Sequence, residues 1–403
     1  MQQIADFLEQ ILKDKYLCDN CLGRQFASLL TGYTNKQRGQ AIRMYLAFLA
    51  EADQIKIKSS NFYGMQFRLK KMKGEKEKCY LCDNIFSKID EKAKKIAKKI
   101  QSYEFNTFLL GTNPPNEIMK KETEFWEEYG IEWAESINTE INREMGKIIS
   151  KLMEKELDRK SPDITILYDF NKKRIDFIVR SVFVYGKYQK LSRKMPQCRW
   201  KSAIYKHSVQ SVIEKPLLAQ TKGEKTSFHG EGREDVDVRC LGWRPFVIEV
   251  LNPKKRTVNL KDLKNTINKS KYVKVKDLRI ASKIDVKAVK AAKPDKTYRA
   301  IVTFENNIEN ASVLKSLNGC VINQQTPTRV IKRRADLLRK RRVKDIKYKL
   351  LSKKRLELKI HAQSGLYIKE LIHGDGGRTR PSVQELLNNK VKNIELDVIK
   401  IHE

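Results

Sequence analysis

The 403-residue chain is short of acidic residues, with 49 Asp and Glu against 83 Lys and Arg and a formal net charge of +34. It also lacks an uninterrupted apolar run long enough to span a membrane. The N-terminal segment MQQIADFLEQILKDKYL mixes acids and bases and predicts an amphipathic helix, not a secretory signal. So large a cationic surplus attracts polyanions, nucleic acid first and an anionic membrane surface second. We therefore expect a cytoplasmic protein that binds nucleic acid and no membrane.

Glycine-rich nucleotide loops are missing as well. The sequence contains no GxGxxG, no P-loop and no SGGxDS-type adenylating loop, so we expect no nucleotide cofactor. The stretch GDGGRTRP, residues 374–381, is glycine-rich, but without the flanking strand and spacing of such a loop it predicts a turn. Hydrophobic residues make up 40% of the chain, enough for folded cores, and the length predicts two or three domains.

Cysteines are few, and four of the seven form two CxxC pairs, Cys18 with Cys21 and Cys79 with Cys82. In a chain without an export signal, this arrangement is typical of a metal site. Four thiolates are the number that a tetrahedral structural zinc requires, and a full set leaves no open position for chemistry. The alternatives are a redox dithiol or two unrelated turns, but a redox CxxC usually stands singly at a helix start.

Two stretches have the apolar spacing of amphipathic helices. Residues 1 to about 50 are predicted to be largely helical, beginning with one apolar face formed by Ile4, Phe7, Leu8, Ile11 and Leu12. The second stretch, EKAKKIAKKI, predicts a basic helix with an inner face formed by Ala93, Ile96, Ala97 and Ile100.

Period-two alternation predicts strands elsewhere. It occurs between Ile55 and Lys78, in SPDITILYDF and in RIDFIVRSVFVYGKY. From about residue 230, strands recur as DVDVR, FVIEVL, YRAIVTFE and LELKIHA, separated by helical or loop segments. We therefore predict an α+β fold whose second region contains a mixed, mostly antiparallel sheet.

The stretch FHGEGREDVDVR, residues 228–239, concentrates acids in this basic chain: Glu231, Glu234, Asp235 and Asp237. A strand over DVDVR would bury Val236 and Val238 and leave the two aspartates on the other face with Arg239. Gly230 and Gly232 would allow a close approach to a substrate. The residues by themselves leave two interpretations open, a solvated strand with its own ion pairs or a catalytic carboxylate held by cations.

A basic tract, TPTRVIKRRADLLRKRRVKDIKYK, occupies residues 326–349. Its apolar residues are interleaved with the charges and predict an ordered surface with one apolar side: Val330, Ile331, Leu337, Leu338 and Val343. Arginines dominate, and the planar guanidinium suits phosphate, so we expect phosphate contacts, with a solvated face or a localisation signal as the alternatives.

Three segments resemble the motifs of pseudouridine synthases. GREDVDVR resembles the first motif, in which a Gly-Arg-x-Asp segment carries the one obligatory aspartate. KTYRAIV, residues 296–302, resembles the second motif, whose tyrosine stacks on the target base. SGLYIKELI, residues 364–372, resembles the third, which brings another ring and a cation to the aspartate.

The chain as a whole is similar to the archaeal tRNA pseudouridine synthases that carry an N-terminal zinc-containing THUMP module. The matching segments, which cover nearly the whole chain, are CxxCLGRQFA, the PDI strand, YGKYQKLSR, FHGxGRED, RPF, TPxRVxxRRADLxR and GLYIKELIxGDxGRTxPS. The resemblance implies a zinc-binding and THUMP tRNA-binding domain over residues 1–183 and an α+β catalytic domain over residues 184–403. Trp243 departs from the pattern, because a glycine or small polar residue is expected before Arg-Pro-Phe.

The resemblance also implies roles for single residues. Asp235 matches the nucleophile, with Asp237 as the competing candidate, and Lys369 matches the cation that faces it. Tyr298 and Tyr367 match the tyrosines that contact the base. RNA contacts are assigned to five arginines: Arg233, Arg333, Arg334, Arg341 and Arg342.

The function that the resemblance implies is the isomerisation of uridines 54 and 55 in the TΨC arm of tRNA. This reaction needs no cofactor, so a structural zinc would be the one bound group, and we expect a monomer with tRNA as its partner. The alternatives are another class of THUMP-containing tRNA-modifying enzyme, a methyltransferase or a sulfurtransferase, and a non-catalytic tRNA-binding protein.

Overall fold

The computed structural model describes residues 2–69, 71–130, 132–200 and 204–402. Contacts within the chain divide it into two compact units, Met1–Arg180 and Ser181–Glu403. None of the helices in the described part is long and apolar enough to cross a membrane.

The first unit combines helices with one small sheet. Its helices are α1 (Gln2–Leu12), α2 (Asp19–Gly23), α3 (Asn35–Glu51), α4 (Ile89–Ile100), α5 (Asn116–Tyr129) and α6 (Ile137–Met153). Its strands are β1 (Thr107–Asn113), β2 (Glu156–Leu157), β3 (Ile164–Asp169) and β4 (Arg174–Val179). The strand order is β2–β1–β3–β4, in which β1 runs parallel to both neighbours and β3–β4 is antiparallel.

The amphipathic patterns predict this unit well. On α4, the four apolar residues of the predicted inner face are all buried, and acids in the first turn and lysines in the last suit the helix dipole. On β3, Ile164, Ile166 and Tyr168 alternate into the core as predicted. In α1, Leu8, Ile11 and Leu12 are buried and Phe7 is partly buried, which confirms most of the predicted face, but Ile4 in the first turn is exposed.

The strands predicted between Ile55 and Lys78 are wrong. Among the described residues of this segment there is a 3-10 helix, Ser59–Phe62, and no strand. The side-chain nitrogen of Asn61, Nδ2, donates to the main-chain carbonyls of Lys15 and Lys58, at 2.9 and 3.2 Å. These side-chain hydrogen bonds stabilise a turn where a strand would need main-chain partners.

The second unit is built on one large sheet. Its strands are β5 (Val182–Lys190), β6 (Lys225–Gly230), β7 (Arg239–Leu251), β8 (Val273–Ala281), β9 (Lys296–Phe304), β10 (Val321–Gln324), β11 (Arg339–Ser352), β12 (Arg355–Ala362), β13 (Thr379–Arg380) and β14 (Val391–Ile401). Its helices are α7 (Val209–Thr221), α8 (Leu260–Asn268), α9 (Lys283–Ala291), α10 (Ile368–His373) and α11 (Val383–Leu387).

The ten strands form the order β13–β10–β11–β12–β9–β14–β7–β5–β8, with β6 paired to β7. The β14–β7 pair is parallel and the other described pairs are antiparallel, which confirms the predicted mixed, mostly antiparallel sheet. Trp243 lies inside β7, under the ammonium of Lys276 at 5.0 Å, so the departure from the expected pattern falls in regular strand and not in a loop.

Strand pairing brings distant segments together in the middle of this sheet. β9 lies between β12 and β14, so Tyr298 faces Ile360 on one side and Val398 on the other. β12 ends at Ala362, and the chain continues within a few residues to Tyr367 and α10. The KTY and GLYIKE segments therefore become neighbours because their strands pair.

Candidate active site and metal cluster

The acidic loop, residues 231–238, connects the antiparallel strands β6 and β7. Its second half is a turn, in which the amide of Val238 donates to the carbonyl of Asp235 at 3.2 Å, so the predicted strand is wrong for residues 235–238. Strand begins only at Arg239, although Val238 is buried as predicted. Gly232 has φ +75°, and a Cβ there would lie 3.2 Å from a guanidinium nitrogen of Arg244. Glycine is therefore required where the loop leaves the strand.

A buried ammonium holds this loop. The Nζ of Lys190, at the end of β5, donates to the carbonyls of Asp235, Val236 and Met195 at 2.8, 3.1 and 3.1 Å. The side chain of Lys190 is fully buried, and burial lowers its pKa although the charge of Glu234, 3.8 Å away, opposes the shift. All three donors of the ammonium are satisfied by main chain, and two of them fix the turn that carries Asp235.

Glu234 lies beneath the loop, with a side chain that is 1% exposed. It forms an ion pair with Arg244 at 3.1 Å and accepts a hydrogen bond from the hydroxyl of Tyr188 at 3.3 Å. Burial raises the pKa of Tyr188, and the charge of Glu234 raises it further. The acids of the loop thus divide by depth, since Glu234 neutralises buried cations while the aspartates face the solvent.

Asp235 and Asp237 line a cleft of about 760 Å³ and meet different cations. The Oδ1 atom of Asp235 accepts from Arg329 at 2.9 Å, whereas the ammonium of Lys369 lies 3.5 Å from its Oδ2 atom. Lys369 donates to both oxygens of Asp237, at 2.9 and 2.8 Å. Burial alone would raise the pKa of Asp237, but the hydrogen bond and charge of Lys369 hold it below its usual value.

The two tyrosines singled out in the sequence line the same cleft. Tyr298 is half-buried on β9, and burial raises the pKa of its phenol to about 12. Tyr367 precedes α10, and its main chain exchanges two hydrogen bonds with the side chain of Gln324, at 2.8 and 3.0 Å. Its hydroxyl accepts from Arg334 at 2.7 Å. Both tyrosines thus line the cleft that Asp235 lines.

The basic tract forms a 3-10 helix, Thr328–Arg333, followed by a loop and by β11. Val343 is buried as predicted, but Ile331, Leu337 and Leu338 are 38%, 54% and 60% exposed. The predicted apolar side is therefore wrong for these three residues. The hydroxyl of Thr326 organises the loop instead, because it bonds the main chain of residues 335 and 337.

The predicted RNA-contacting arginines do not share one surface. Arg233, Arg334 and Arg341 line the cleft, together with the two aspartates. Arg342 follows Arg341 on β11, is exposed, and is not among the residues lining the cleft. The side chain of Arg333 lies outside the described part of the chain.

Arg329, a member of this tract, is a site residue that sequence reasoning did not separate from its neighbours. It lies in the cleft, and its guanidinium bridges Asp235 and Glu370. The signal available in the sequence was weak, because Arg329 is one cation among many and Glu370 one acid in the segment YIKEL. Their pairing depends on the tertiary fold.

The four paired cysteines form one cluster in the first unit, in which the sulfur atoms all lie within 4.8 Å of one another. Cys18 precedes α2 and Cys21 lies inside it, while a main-chain hydrogen bond from Tyr80 to Tyr16, at 2.8 Å, joins the two CxxC turns. The sulfurs of Cys18 and Cys82 are 3.6 Å apart. A tetrahedral zinc with bonds of about 2.3 Å sets sulfurs about 3.8 Å apart, so the donor set fits a metal ion of this kind.

Two family models match the chain. One, described as Pus10, C-terminal, matches residues 183–402, and the other, described as Pus10 THUMP domain, archaeal, matches residues 92–169. Curated relatives match nearly the whole chain. The tRNA pseudouridine synthase Pus10 of Thermofilum pendens is 40% identical over 423 residues, covering 99% of this chain and 95% of the relative. That of Pyrococcus furiosus is 38% identical, covering 99% and 98%.

Similarity to solved structures is lower. A crystal structure of a Cbf5-Nop10-Gar1 complex aligns with 53% of this chain and 48% of its own, at a TM-score of 0.31 and 17% sequence identity. This similarity is too low to carry an argument. Assignment therefore rests on the family models and the curated relatives.

Proposed function

Because this chain belongs to the Pus10 family, we propose that it converts uridines 54 and 55 of the TΨC arm of tRNA to pseudouridine. The chain is a tRNA pseudouridine synthase, as its full-length relatives are named. A family match that spans both units leaves the methyltransferase, the sulfurtransferase and the non-catalytic RNA-binding protein without support.

One observation supports the catalytic assignment most. Asp235 lines a cleft together with two tyrosines, Tyr298 and Tyr367, and contacts two cations there, Arg329 and Lys369. We assign Asp235 as the nucleophile, and the buried Lys190 supports this choice because it fixes the main chain that carries Asp235. Asp237 is assigned to Lys369, whose position it helps to hold.

The reaction breaks the N1–C1′ bond of the uridine, rotates the freed uracil and forms a C5–C1′ bond. C5 loses a proton and N1 gains one, so nothing is oxidised and no group is added. A carboxylate at Asp235 can attack the sugar or the base or remove a sugar proton, which is why no cofactor is needed. Tyr298 and Tyr367 hold the base while it rotates, since stacking contributes about 1 to 3 kcal/mol per base.

The target uridine must leave its stack to reach Asp235, and the tRNA must be held while it does so. We assign phosphate contacts to Arg233, Arg333, Arg334, Arg341 and Arg342. Arg233, Arg334 and Arg341 line the cleft and would bind near the target, while Arg342 would bind a more distant phosphate.

We further assign tRNA docking to residues 1–183 and catalysis to residues 184–403. The THUMP match over residues 92–169 supports the first assignment. The exposed lysines of α4, including Lys94, Lys95 and Lys98, offer a cationic surface there. A structural zinc bound by Cys18, Cys21, Cys79 and Cys82 would stabilise this unit, and its four thiolate ligands would leave no position open for substrate.

We propose a cytoplasmic monomer. The residues given roles in the cleft all belong to one chain, so the proposed chemistry requires no second copy. Cytoplasmic placement follows from the substrate, because unmodified tRNA is found there. The mass of the purified protein in solution, measured by light scattering, tests the monomer.

Asp235→Asn and Asp237→Asn, assayed on an unmodified tRNA transcript, test the proposed function. Mapping of carbodiimide-resistant nucleotides should find pseudouridine at positions 54 and 55 with the unaltered protein. Asp235→Asn should lower the single-turnover rate at least about a thousandfold while tRNA affinity stays within about threefold, because only the transition state loses an interaction. An active Asp235→Asn beside an inactive Asp237→Asn would transfer the nucleophile to Asp237.

A further inference from the structure

We propose that Arg329 is a positioning residue, the cation that orients the reactive carboxylate of Asp235. This inference rests on the proposed function, in which Asp235 is the nucleophile. It separates Arg329 from the other arginines of the tract, because those are assigned to RNA phosphates and Arg329 to the reacting group. It also divides the two cations of the cleft, with Arg329 serving Asp235 and Lys369 serving mainly Asp237.

Distances support this division. Arg329 donates to the Oδ1 atom of Asp235 at 2.9 Å, while Lys369 is 3.5 Å from Asp235 and within 2.9 Å of both oxygens of Asp237. A charge-assisted hydrogen bond fixes the plane of a carboxylate better than a longer contact does. With Oδ1 held by the guanidinium, Oδ2 is the atom left to meet the substrate.

The guanidinium of Arg329 is itself fixed by a second, buried carboxylate. Its Nε atom donates to Glu370 at 2.6 Å, and the Glu370 side chain is 1% exposed, on the buried side of α10. The guanidinium carbon also lies 5.9 Å from the centre of the Tyr367 ring. Burial would lower the pKa of Arg329, but Glu370 and Asp235 raise it above its usual value. Arg329 therefore remains a cation in a fixed orientation.

Its surroundings argue against a role in phosphate binding. Two of its nitrogens are bonded to protein carboxylates, and a phosphate would have to compete with Asp235 for the guanidinium. Arg334 offers the contrast, because it is exposed and its Nη1 atom donates to the hydroxyl of Tyr367 and not to a carboxylate. The tract thus supplies one cation that positions the nucleophile, together with the proposed RNA contacts.

Arg329→Ala tests the proposal, with Arg299→Ala as the matched control. Arg299 is 42% exposed against 40% for Arg329 and likewise pairs with a glutamate, Glu357, but lies outside the cleft lining. Arg329→Ala should lower the single-turnover rate about 100-fold or more, with tRNA affinity within about threefold. Arg299→Ala should stay close to the unaltered rate.

Chemical rescue distinguishes a cation that orients Asp235 from a side chain that only supports the fold. Added guanidinium chloride should restore the rate of Arg329→Ala about tenfold, because the cleft is open to a small cation. Urea, which has the same shape without the charge, and sodium chloride at equal ionic strength should not. Arg329→Lys should recover only part of the rate, since an ammonium cannot reproduce the fork that bridges two carboxylates.

The outcomes are separable. An Arg329→Ala rate within threefold of the unaltered protein, or a loss that appears in tRNA affinity and not in rate, would overturn the inference. So would a slow variant that guanidinium fails to rescue, because Arg329 would then only support the fold. Full activity of Asp235→Asn would instead overturn the assignment of the nucleophile on which the inference depends.

Discussion

Both units bury ionic groups, but the buried groups position different parts of the structure in each unit. In the first unit, the fully buried Arg24 pairs with Glu122 on α5, and Glu122 also accepts from the amide of Ile137 at the start of α6. In the second unit, Lys190, Glu234 and Arg244 lie under a loop that opens to a cleft. Buried ion pairs seldom stabilise a protein more than apolar residues would. Their value depends on what they position, which is helix packing in one unit and Asp235 in the other.

Removal of the proposed zinc should have the largest effect, and it should affect the two units differently. A structural zinc contributes on the order of 10 kcal/mol to folding, so chelation or Cys82→Ser should unfold the first unit and leave the second folded. Calorimetry should then show loss of one transition, and metal analysis of the unaltered protein should find one zinc per chain. Cys320→Ser, at a lone cysteine of the second unit, is the control. Protein purified without zinc, or an unchanged Cys82→Ser melting curve, would contradict the assignment.

The next largest effect concerns the buried pair of the first unit. Glu122→Gln removes the carboxylate that pairs with the buried Arg24 and should lower the free energy of unfolding of that unit by about 3 to 5 kcal/mol. The rate at saturating tRNA should not change, because the pair belongs to the first unit and the residues that line the cleft belong to the second. Glu117→Gln, at an exposed position of α5, is the control and should have little effect in urea unfolding. A lower rate in Glu122→Gln would contradict the view that this buried pair serves only the packing of the first unit.

In the second unit, Lys190→Met should mainly lower the rate, which is the reverse of the loss of stability expected for Glu122→Gln. Methionine fills a similar volume but cannot bond the carbonyls of Asp235 and Val236, so the nucleophile should shift. A displacement of about 1 Å can lower a rate about a hundredfold. Single-turnover rates should fall accordingly in protein that stays folded, and by more than the accompanying loss of stability explains, whereas Lys187→Met, on the same strand, remains active. Equal losses in stability and rate would assign Lys190 to the fold alone.

Lys190 also predicts a pH dependence. Burial lowers the pKa of Lys190 in the folded protein, although the charge of Glu234 acts to raise it. Among the other groups that face the ammonium, Cys240 and Asp237 also raise this pKa and Arg244 lowers it. Above that pKa the amine loses a donor to the loop, so the rate should decline at lower pH than an ordinary lysine near 10.5 would cause. Stability linked to this group should rise over the same range, since the unfolded chain binds more protons there. Lys190→Met should lack both trends.

The smallest expected effect concerns phosphate contacts, which both units are proposed to share. Arg342→Gln removes one cation outside the cleft and should lower the slope of log affinity against log salt by about 0.9. The rate at saturating tRNA should be unaffected. Replacing Lys94 in the first unit by Gln should do the same if both surfaces meet the tRNA. An unaltered slope in either variant would identify that cation as a solvated charge.

Regular elements were predictable where one face is buried. The inner face of α4 and the alternation of β3 follow from apolar spacing, because a helix or strand on a core must repeat its buried residues at a fixed period. Prediction was wrong for DVDVR, which has the period of a strand but forms a turn, because the ammonium of Lys190 binds its carbonyls. It was also wrong for Leu337 and Leu338, which are exposed in a loop closed on Thr326.

The sequence by itself determined the chemistry available to this protein. Two CxxC pairs and the GRED, KTY and GLYIKE segments supply thiolates, a carboxylate, aromatic rings and a lysine, and these residue types can be identified without a structure. Which cation meets which aspartate was decided by the tertiary structure alone. Arg329 is 94 residues from Asp235 in the chain, and Lys369 is 132 residues from Asp237. Ion pairs over such separations depend on strand order and loop conformation, and no local pattern of residues encodes them.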